Sequence, residues 1–370
     1  MMTVCELNKC TGCMACIDIC PKGAITIKDT LSAYNAEIDA GKCVNCNLCH
    51  HICQNNNIIK LNTPIEWYQG WASDESVRAI GASGGAASSI MRTFIANGGY
   101  VCSCVFVNGQ FVFKVTNDKE DLIKFAGSKY VKSNPEGVYK QIKALLQQGN
   151  KVLFIGLPCQ VSALILYIGK SLSDNLFTID LICHGTPSPM LLDNFLGQYK
   201  LSTIDIKDIK FRVKNKFQVR DGFKGVETTG ITDSYLISFL NGLCYTQNCY
   251  LCQYAKLDRV SDITLGDSWG TELSSSEANK GISLILCQTH KGIDLINNSN
   301  LVLHNVELEK AILANKQLQS PSDIPKSRDQ FFKGISEGIK YNKIICKLYP
   351  KQSLKQTIKK FLIKFRLYNN

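Results

Sequence analysis

What this chain lacks narrows it first. No apolar run approaches the roughly 18 to 20 residues a helix needs to cross a bilayer, so integral insertion is not expected. The opening is polar and soon rich in cysteine, without the order of a secretory leader, which argues for a reducing cytoplasm over a disulfide-stapled secreted fold. No G-x-G-x-x-G fingerprint occurs, so a common dinucleotide pocket is excluded. Acidic residues are missing from 340 to 370, where nine Lys or Arg carry +9 of the net +11. The basic excess therefore belongs to the tail. With no aromatic-rich basic groove and no zinc-finger spacing beside it, nucleic-acid binding is not expected.

What the chain has in excess is cysteine, 18 in 370 residues of otherwise ordinary globular composition. Cys10-x2-Cys13-x2-Cys16-x3-Cys20 is repeated, each cysteine moved on by 33 residues, as Cys43-x2-Cys46-x2-Cys49-x3-Cys53. Two such runs are the ferredoxin pattern for a pair of [4Fe-4S] clusters, with the fourth ligand of each supplied by the other run. One cluster is then expected on Cys10, Cys13, Cys16 and Cys53, and the other on Cys43, Cys46, Cys49 and Cys20. Zinc also takes four thiolates, but in paired C-x2-C knuckles rather than this spacing. Pro21 follows Cys20 whereas Gln54 follows Cys53, where a second proline would be usual. Ala24-Ile25-Thr26-Ile27 and Tyr34 to Ile38 alternate like two short strands that would set the loops side by side, and Cys5 is left as a core or spare thiol.

The expected fold class is α+β and α/β: a bacterial ferredoxin-like module at 1–60, a connector at 61–75, a mixed-sheet body at 76–300 and a helical basic tail at 301–370. Gly81-Ala82-Ser83-Gly84-Gly85 runs into a helical pattern, and a glycine turn opening a helix suits an anion, though it is equally a plain tight turn. Asn108-Gly109 joins two strands as a hairpin in which Cys102 and Cys104 pack. The apolar runs 151–155 and 176–182 read as buried parallel strands, each ending in a cysteine-bearing turn, at Cys159 and at Cys183-His184. Ligands gather at the carboxyl ends of such strands, so the two thiols suggest a shared site. Then come Cys244-x4-Cys249-x2-Cys252, a strand and turn from Ser261 through Gly270, and a buried strand ending at Cys287. In the tail, Leu354, Ile358, Phe361, Leu362 and Phe365 recur at helical spacing among lysines. Contact with an anionic membrane surface or an acidic partner, on one side, and a solvated helix packing on the chain's own body, on the other, stand as equal readings.

Ser83-Gly84-Gly85, Gly127-Ser128-Lys129-Tyr130, Pro158-Cys159-Gln160, Cys183, Cys249-x2-Cys252 and Ser261-Asp262-Ile263 to Gly266, in that order, resemble the family of beta subunits of coenzyme F420 hydrogenases and dehydrogenases, in the form with an N-terminal two-cluster module. The resemblance implies an iron-sulfur flavoprotein oxidoreductase with noncovalent FAD, a third [4Fe-4S] cluster on Cys159, Cys183, Cys249 and Cys252, and electron exchange with coenzyme F420 or another hydride carrier. Cys244 competes for a place in that set. Ser83, Gly84, Gly85, Gly127, Ser128, Lys129 and Tyr130 match positions near the flavin; Lys129 is alternatively a surface charge and His184 a packed turn residue. Clusters take one electron at a time and a hydride delivers two, which a flavin reconciles. No acid–base residue stands out, in keeping with hydride transfer between rings. A ferredoxin or other redox protein is the expected partner. The alternatives are an electron-relay subunit without a substrate site, a reductase acting on a cell-surface polysaccharide precursor, and a zinc-stabilised scaffold.

Overall fold

A computed structural model describes residues 2–57 and 59–365. The first cysteine-rich stretch folds with an internal repeat. Each run of cysteines winds into a one-turn helix, Ala15–Ile19 and Leu48–Ile52, entered through a left-handed residue, Met14 at φ 59° and Asn47 at φ 58°. Two residues earlier Gly12 and Asn45 are left-handed as well. Alternating backbone hands turns the amides toward one centre, a conformation that Gly and Asn tolerate best. Between the runs, β1 (Ile25–Asp29) and β2 (Tyr34–Ile38) pair antiparallel, Ile25 opposite Ile38.

This stretch does not hang from the body. Its apolar side continues into one core with Val138, Tyr139, Ile142, Val161 and Leu164. The Asp18 carboxylate accepts from the Gly137 and Tyr139 amides at 2.7 and 3.2 Å, capping the helix Val138–Gln147.

The body is one mixed eight-stranded sheet. Its strands are β3 (Glu66–Ala72), β4 (Tyr100–Val107), β5 (Gln110–Thr116), β6 (Val152–Gly156), β7 (Leu176–Leu181), β11 (Ile263–Asp267), β12 (Ser283–Cys287) and β13 (Leu301–His304), the numbers between being taken by a small sheet of β8 (Ile209–Val213), β9 (Lys216–Asp221) and β10 (Lys224–Gly225). The order is β13-β3-β12-β11-β7-β6-β4-β5. Four central strands, β4, β6, β7 and β11, are parallel, and every other pairing is antiparallel. The Asn108-Gly109 hairpin forms as expected, both residues left-handed. The helix Ala86–Ala96 covers one face of the parallel strands; Val138–Gln147 and Pro158–Ile168 cover the other.

Two boundaries fall elsewhere than composition suggested. The 61–75 stretch contains β3, which is paired on both sides, with β12 and β13; its aromatics and glycine hid a strand, and Gly70 is needed because a Cβ there would lie 2.2 Å from the Val302 carbonyl. The 301–370 tail opens with β13 and then sends the helices Arg328–Ser336 and Tyr341–Leu348 into a second core with Phe195, Phe211, Tyr235 and Leu236. Phe331, Tyr341 and Ile345 are fully buried there. The last helix, Pro350–Lys364, buries no residue. No helix among the described residues is long and apolar enough to cross a membrane.

Since Phe331 is completely enclosed, Phe331→Ala should lower stability by about 3–5 kcal/mol, read as a lower urea midpoint of the full chain. An unchanged midpoint would mean that these helices merely lean on the body.

Candidate functional site

None of the cysteines is in a disulfide. The first group is Cys10, Cys13, Cys16 and Cys53, all buried. Burial pushes the Cys16 thiol up, and the neighbouring Cys13 and Cys49 add to it. Cys5 is drawn into the same group, in hydrogen-bonding contact with Cys10 and Cys53. The second group, Cys20, Cys43, Cys46 and Cys49, lines a single cavity with Pro21 and Val44, and Cys46 opens to solvent. Backbone amides already point at sulfur: Asn45 N lies 3.4 Å from Cys43 Sγ and Ala24 N lies 3.4 Å from Cys20 Sγ.

The third group assembles from three parts of the body. Cys159 lies in the first turn of Pro158–Ile168 after β6, Cys183 just past the end of β7, and Cys249 and Cys252 on and beside the turn Gln247–Leu251. Thr186 N donates to Cys249 Sγ at 3.4 Å. Burial first, then Cys249 and Cys252, push the Cys183 thiol up to about 12. Cys244 lies in the second core, which Cys249 also joins; it is fully buried near Ser238 and pushed up to about 12 by burial. Among the described residues no three His, Cys, Asp or Glu side chains converge as a single metal ion requires. Cys159, Cys183, Cys249 and Cys252 do act on one another electrostatically, Cys252 and Cys183 on Cys159 and Cys249 and Cys252 on Cys183.

The groups lie within electrostatic reach of one another. Cys16 interacts with Cys49, and Cys13 with Cys159. Tyr139 and Tyr254 lie between the last two, close to both thiols. The Tyr254 hydroxyl bonds Ser162 Oγ at 2.8 Å and Gln54 Oε1 at 2.5 Å, and Gln54 Nε2 donates to Thr11 Oγ1 at 3.2 Å. Gln253 Nε2 also reaches Gln54 Oε1, at 2.8 Å. The residue that departs from the expected proline is thus the buried joint between the Cys53 turn and the Cys252 loop. Lys132, also buried, donates from Nζ to the Thr11 carbonyl at 3.0 Å. Burial pushes the Cys159 thiol well up, and the Lys132 charge acts against that rise. Arg259 does the same beside Cys252, where burial again leads.

The glycine turn and the Gly127–Tyr130 segment meet at a residue the sequence reading missed. Arg212, on β8, donates to Asp267 at 2.7 and 3.0 Å, to the Ala82 carbonyl at 3.0 Å and to the Tyr130 hydroxyl at 3.3 Å. Lys214 gathers the carbonyls of Arg78, Gly81 and Ser83 at 2.6, 2.9 and 2.8 Å. No side chain caps Ala86–Ala96 behind left-handed Gly85. Two cations beside an uncapped helix start suit an anionic ligand. Gly84 is glycine for packing, since a Cβ would lie 2.5 Å from the Gly70 carbonyl, whereas left-handed Gly127 faces open space. Ser83 Oγ donates to the Ile282 carbonyl at 2.6 Å, and Ser128 is half-buried. Lys129 is not a solvated surface charge: its ammonium, like that of Lys214, holds backbone carbonyls, those of Phe125 and Ala126 at 2.6 and 3.1 Å. Tyr130 stacks on Phe239 at 4.3 Å. His184, next to Cys183 and exposed, is within electrostatic reach of both Asp267 and Arg212, so Cys183 adjoins this hub.

Two models of one family match the body in chain order: the N-terminal part of the coenzyme F420 hydrogenase/dehydrogenase beta subunit at residues 67–137 and its C-terminal part at 149–310, together more than half of the chain. The chain belongs to that family. A 4Fe-4S dicluster domain matches residues 9–57 ahead of it. The family match begins inside β3, in agreement with that strand's place in the sheet. Among relatives of this F420 beta-subunit-type chain is a component of the F(420)H(2) dehydrogenase of Methanosarcina mazei, 23% identical over 293 residues, covering 74% of this chain and 81% of the relative. The coenzyme F420-dependent sulfite reductase of Methanocaldococcus jannaschii is 24% identical over 316 residues, covering 81% of this chain but only 47% of that enzyme. A chain of the F420-reducing [NiFe] hydrogenase complex of Methanosarcina barkeri superposes with a TM-score of 0.49 at 18% identity, covering 76% of this chain and 91% of that one. The chain is accordingly an iron-sulfur oxidoreductase of this family.

Arg212, Lys214, Asp267 and Lys132 carried no motif, and only their positions in space mark them out. Gln54→Leu, which removes the side-chain hydrogen bonds to Tyr254, Gln253, Thr11 and Asn55, should cost about 1–3 kcal/mol in urea unfolding of the full chain, and Gln54→Pro should lose the same contacts. Full stability in both variants would show that the joint is held by apolar packing alone.

Proposed function

We propose that this chain is an iron-sulfur flavoprotein that exchanges a hydride with coenzyme F420 or another hydride carrier, and single electrons with a ferredoxin or other redox protein, in a reducing cytoplasm. In this reading residues 1–60 hold two [4Fe-4S] clusters on Cys10, Cys13, Cys16 and Cys53 and on Cys20, Cys43, Cys46 and Cys49. The 76–300 body, completed by β3, holds FAD and a third cluster on Cys159, Cys183, Cys249 and Cys252. The observation that carries it is that the thiols of these groups act on one another electrostatically, Cys49 on Cys16 and Cys13 on Cys159, with His184 after Cys183 in the field of Arg212 and Asp267.

When bound, the clusters supply one-electron steps and the flavin links them to a two-electron donor. The chain's own part is positioning and charge. Lys132 and Arg259 place positive charge beside buried thiolates, which favours the added electron. Tyr139, Tyr254 and Gln54 fill the gap between two thiol sets and keep water from it. Arg212 ties the glycine turn to Tyr130 and Asp267, and Lys214 sets positive charge behind the turn. The partially exposed Cys43, Cys46 and Cys49 form the end open to a protein partner.

Anaerobically purified protein should carry about twelve irons and one FAD whose absorbance bleaches with reduced F420 or another hydride donor. Clusters without flavin would instead identify an electron relay with no substrate site. Cys252→Ser should lose about four irons and Cys244→Ser none; the reverse result would exchange their roles. A pH dependence follows from Lys214, whose pKa burial lowers to about 8, with Arg78 and Arg212 adding to the fall. A bound phosphate group favours the ammonium and raises that pKa. FAD affinity is therefore full below about pH 8 and falls as the pH rises toward the higher value of the bound state. FAD titrations on either side of that pH check the slope, which Lys214→Met should flatten.

A further inference from the structure

The helix Pro350–Lys364 is docked the wrong way round for a helix that merely completes a soluble fold. Proline at its first turn starts it, and it buries no residue. Its contacts with the body are polar. Asn241 Nδ2 donates to Gln352 Oε1 at 2.9 Å, Thr232 N to Gln356 Oε1 at 2.9 Å, and Lys360 Nζ to Glu227 Oε1 at 2.7 Å. Those three residues are spaced by four and form one face. At about 100° per residue, Leu354, Ile358, Phe361 and Phe365 lie on the opposite face, and all four are more than half exposed. A helix that serves only its own core turns the other way.

We propose that this outward stripe seats the protein on an anionic lipid surface, with the helix lying in the plane of the headgroups. Charge selects the occupant. Lys351, Lys355 and Lys364 border the stripe, and no Asp or Glu occurs from 340 to 370 to balance them. Apolar residues ending in two phenylalanines between lysine margins are the pattern of an interfacial helix. The polar docking face fixes the stripe's direction rigidly, so the helix needs no rearrangement to meet a flat surface. Its 15 residues span about 22 Å, short of the roughly 30 Å hydrocarbon core. It rests on the membrane and does not cross it. A second copy of the chain would set these lysines against one another.

The test is co-sedimentation of the anaerobic full-length protein with vesicles of phosphatidylcholine alone or mixed with phosphatidylglycerol. Binding should require phosphatidylglycerol, weaken as salt is raised, and fall at least tenfold in Ile358→Gln/Phe361→Gln, which leaves the Gln352, Gln356 and Lys360 contacts and the core intact. Lys351→Gln/Lys355→Gln/Lys364→Gln should weaken it as well. Iron content and circular dichroism, unchanged in these variants, confirm that the fold persists. Phe361→Trp should show a blue-shifted emission on the anionic vesicles. Three results would overturn the proposal: no binding, binding indifferent to the glutamine variants, or a dimer in solution that Ile358→Gln/Phe361→Gln dissolves.

Discussion

Thiols crowded together away from water resist ionisation, and the interior of this protein is arranged around that resistance. Burial leads the upward shift at Cys13, Cys16, Cys159, Cys183 and Cys252, and neighbouring thiols reinforce it. The chain opposes it with a few fixed elements. Lys132 and Arg259 bring whole charges to Cys159 and Cys252, while Gly12 brings an amide to Cys10. These groups sit on different segments and can act together only if the ferredoxin-like part and the body share one interior.

That sharing explains features that would be odd in two independent modules. Asp18 caps a body helix instead of remaining in its own loop, and Lys132 of the body reaches the Thr11 carbonyl. Gln54 takes the place of a proline because a side chain with both a donor and an acceptor is needed to meet Thr11, Gln253 and Tyr254. A rigid ring there would fix the turn but remove the acceptor that Tyr254 and Gln253 share.

A second organising point lies at the carboxyl ends of the parallel strands. Cys183 and His184 follow β7 and Asp267 ends β11, while Arg212 arrives from the small sheet to bind Asp267, Ala82 and Tyr130. Edges of this kind gather ligands because loops from several strands converge there. The second core has a structural task, which is to hold β8 and the Gln247–Leu251 turn at that edge. The helices after 328 contribute to it, Arg328 donating to the Tyr245 and Ser32 carbonyls at 3.0 Å each.

The sequence by itself determined the parts whose chemistry is written in local spacing. The doubled run of eight cysteines, the Asn108-Gly109 hairpin and the buried strands ending near Cys159 and Cys183 are all of that kind, because a loop, a turn or a strand depends on residues a few positions apart. Only the tertiary structure decided the rest. It made β3 an internal strand although its aromatics and glycine look like linker, since pairing with β12 and β13 outweighs local composition. It placed Cys244 in the second core, turned the Lys129 ammonium onto carbonyls of its own loop, and brought Arg212 and Lys214 to the glycine turn. It also faced the apolar stripe of the last helix outward. Periodicity records that a stripe exists, but its direction is set by which side chains across a hundred residues of chain, such as Asn241 and Glu227, find a partner.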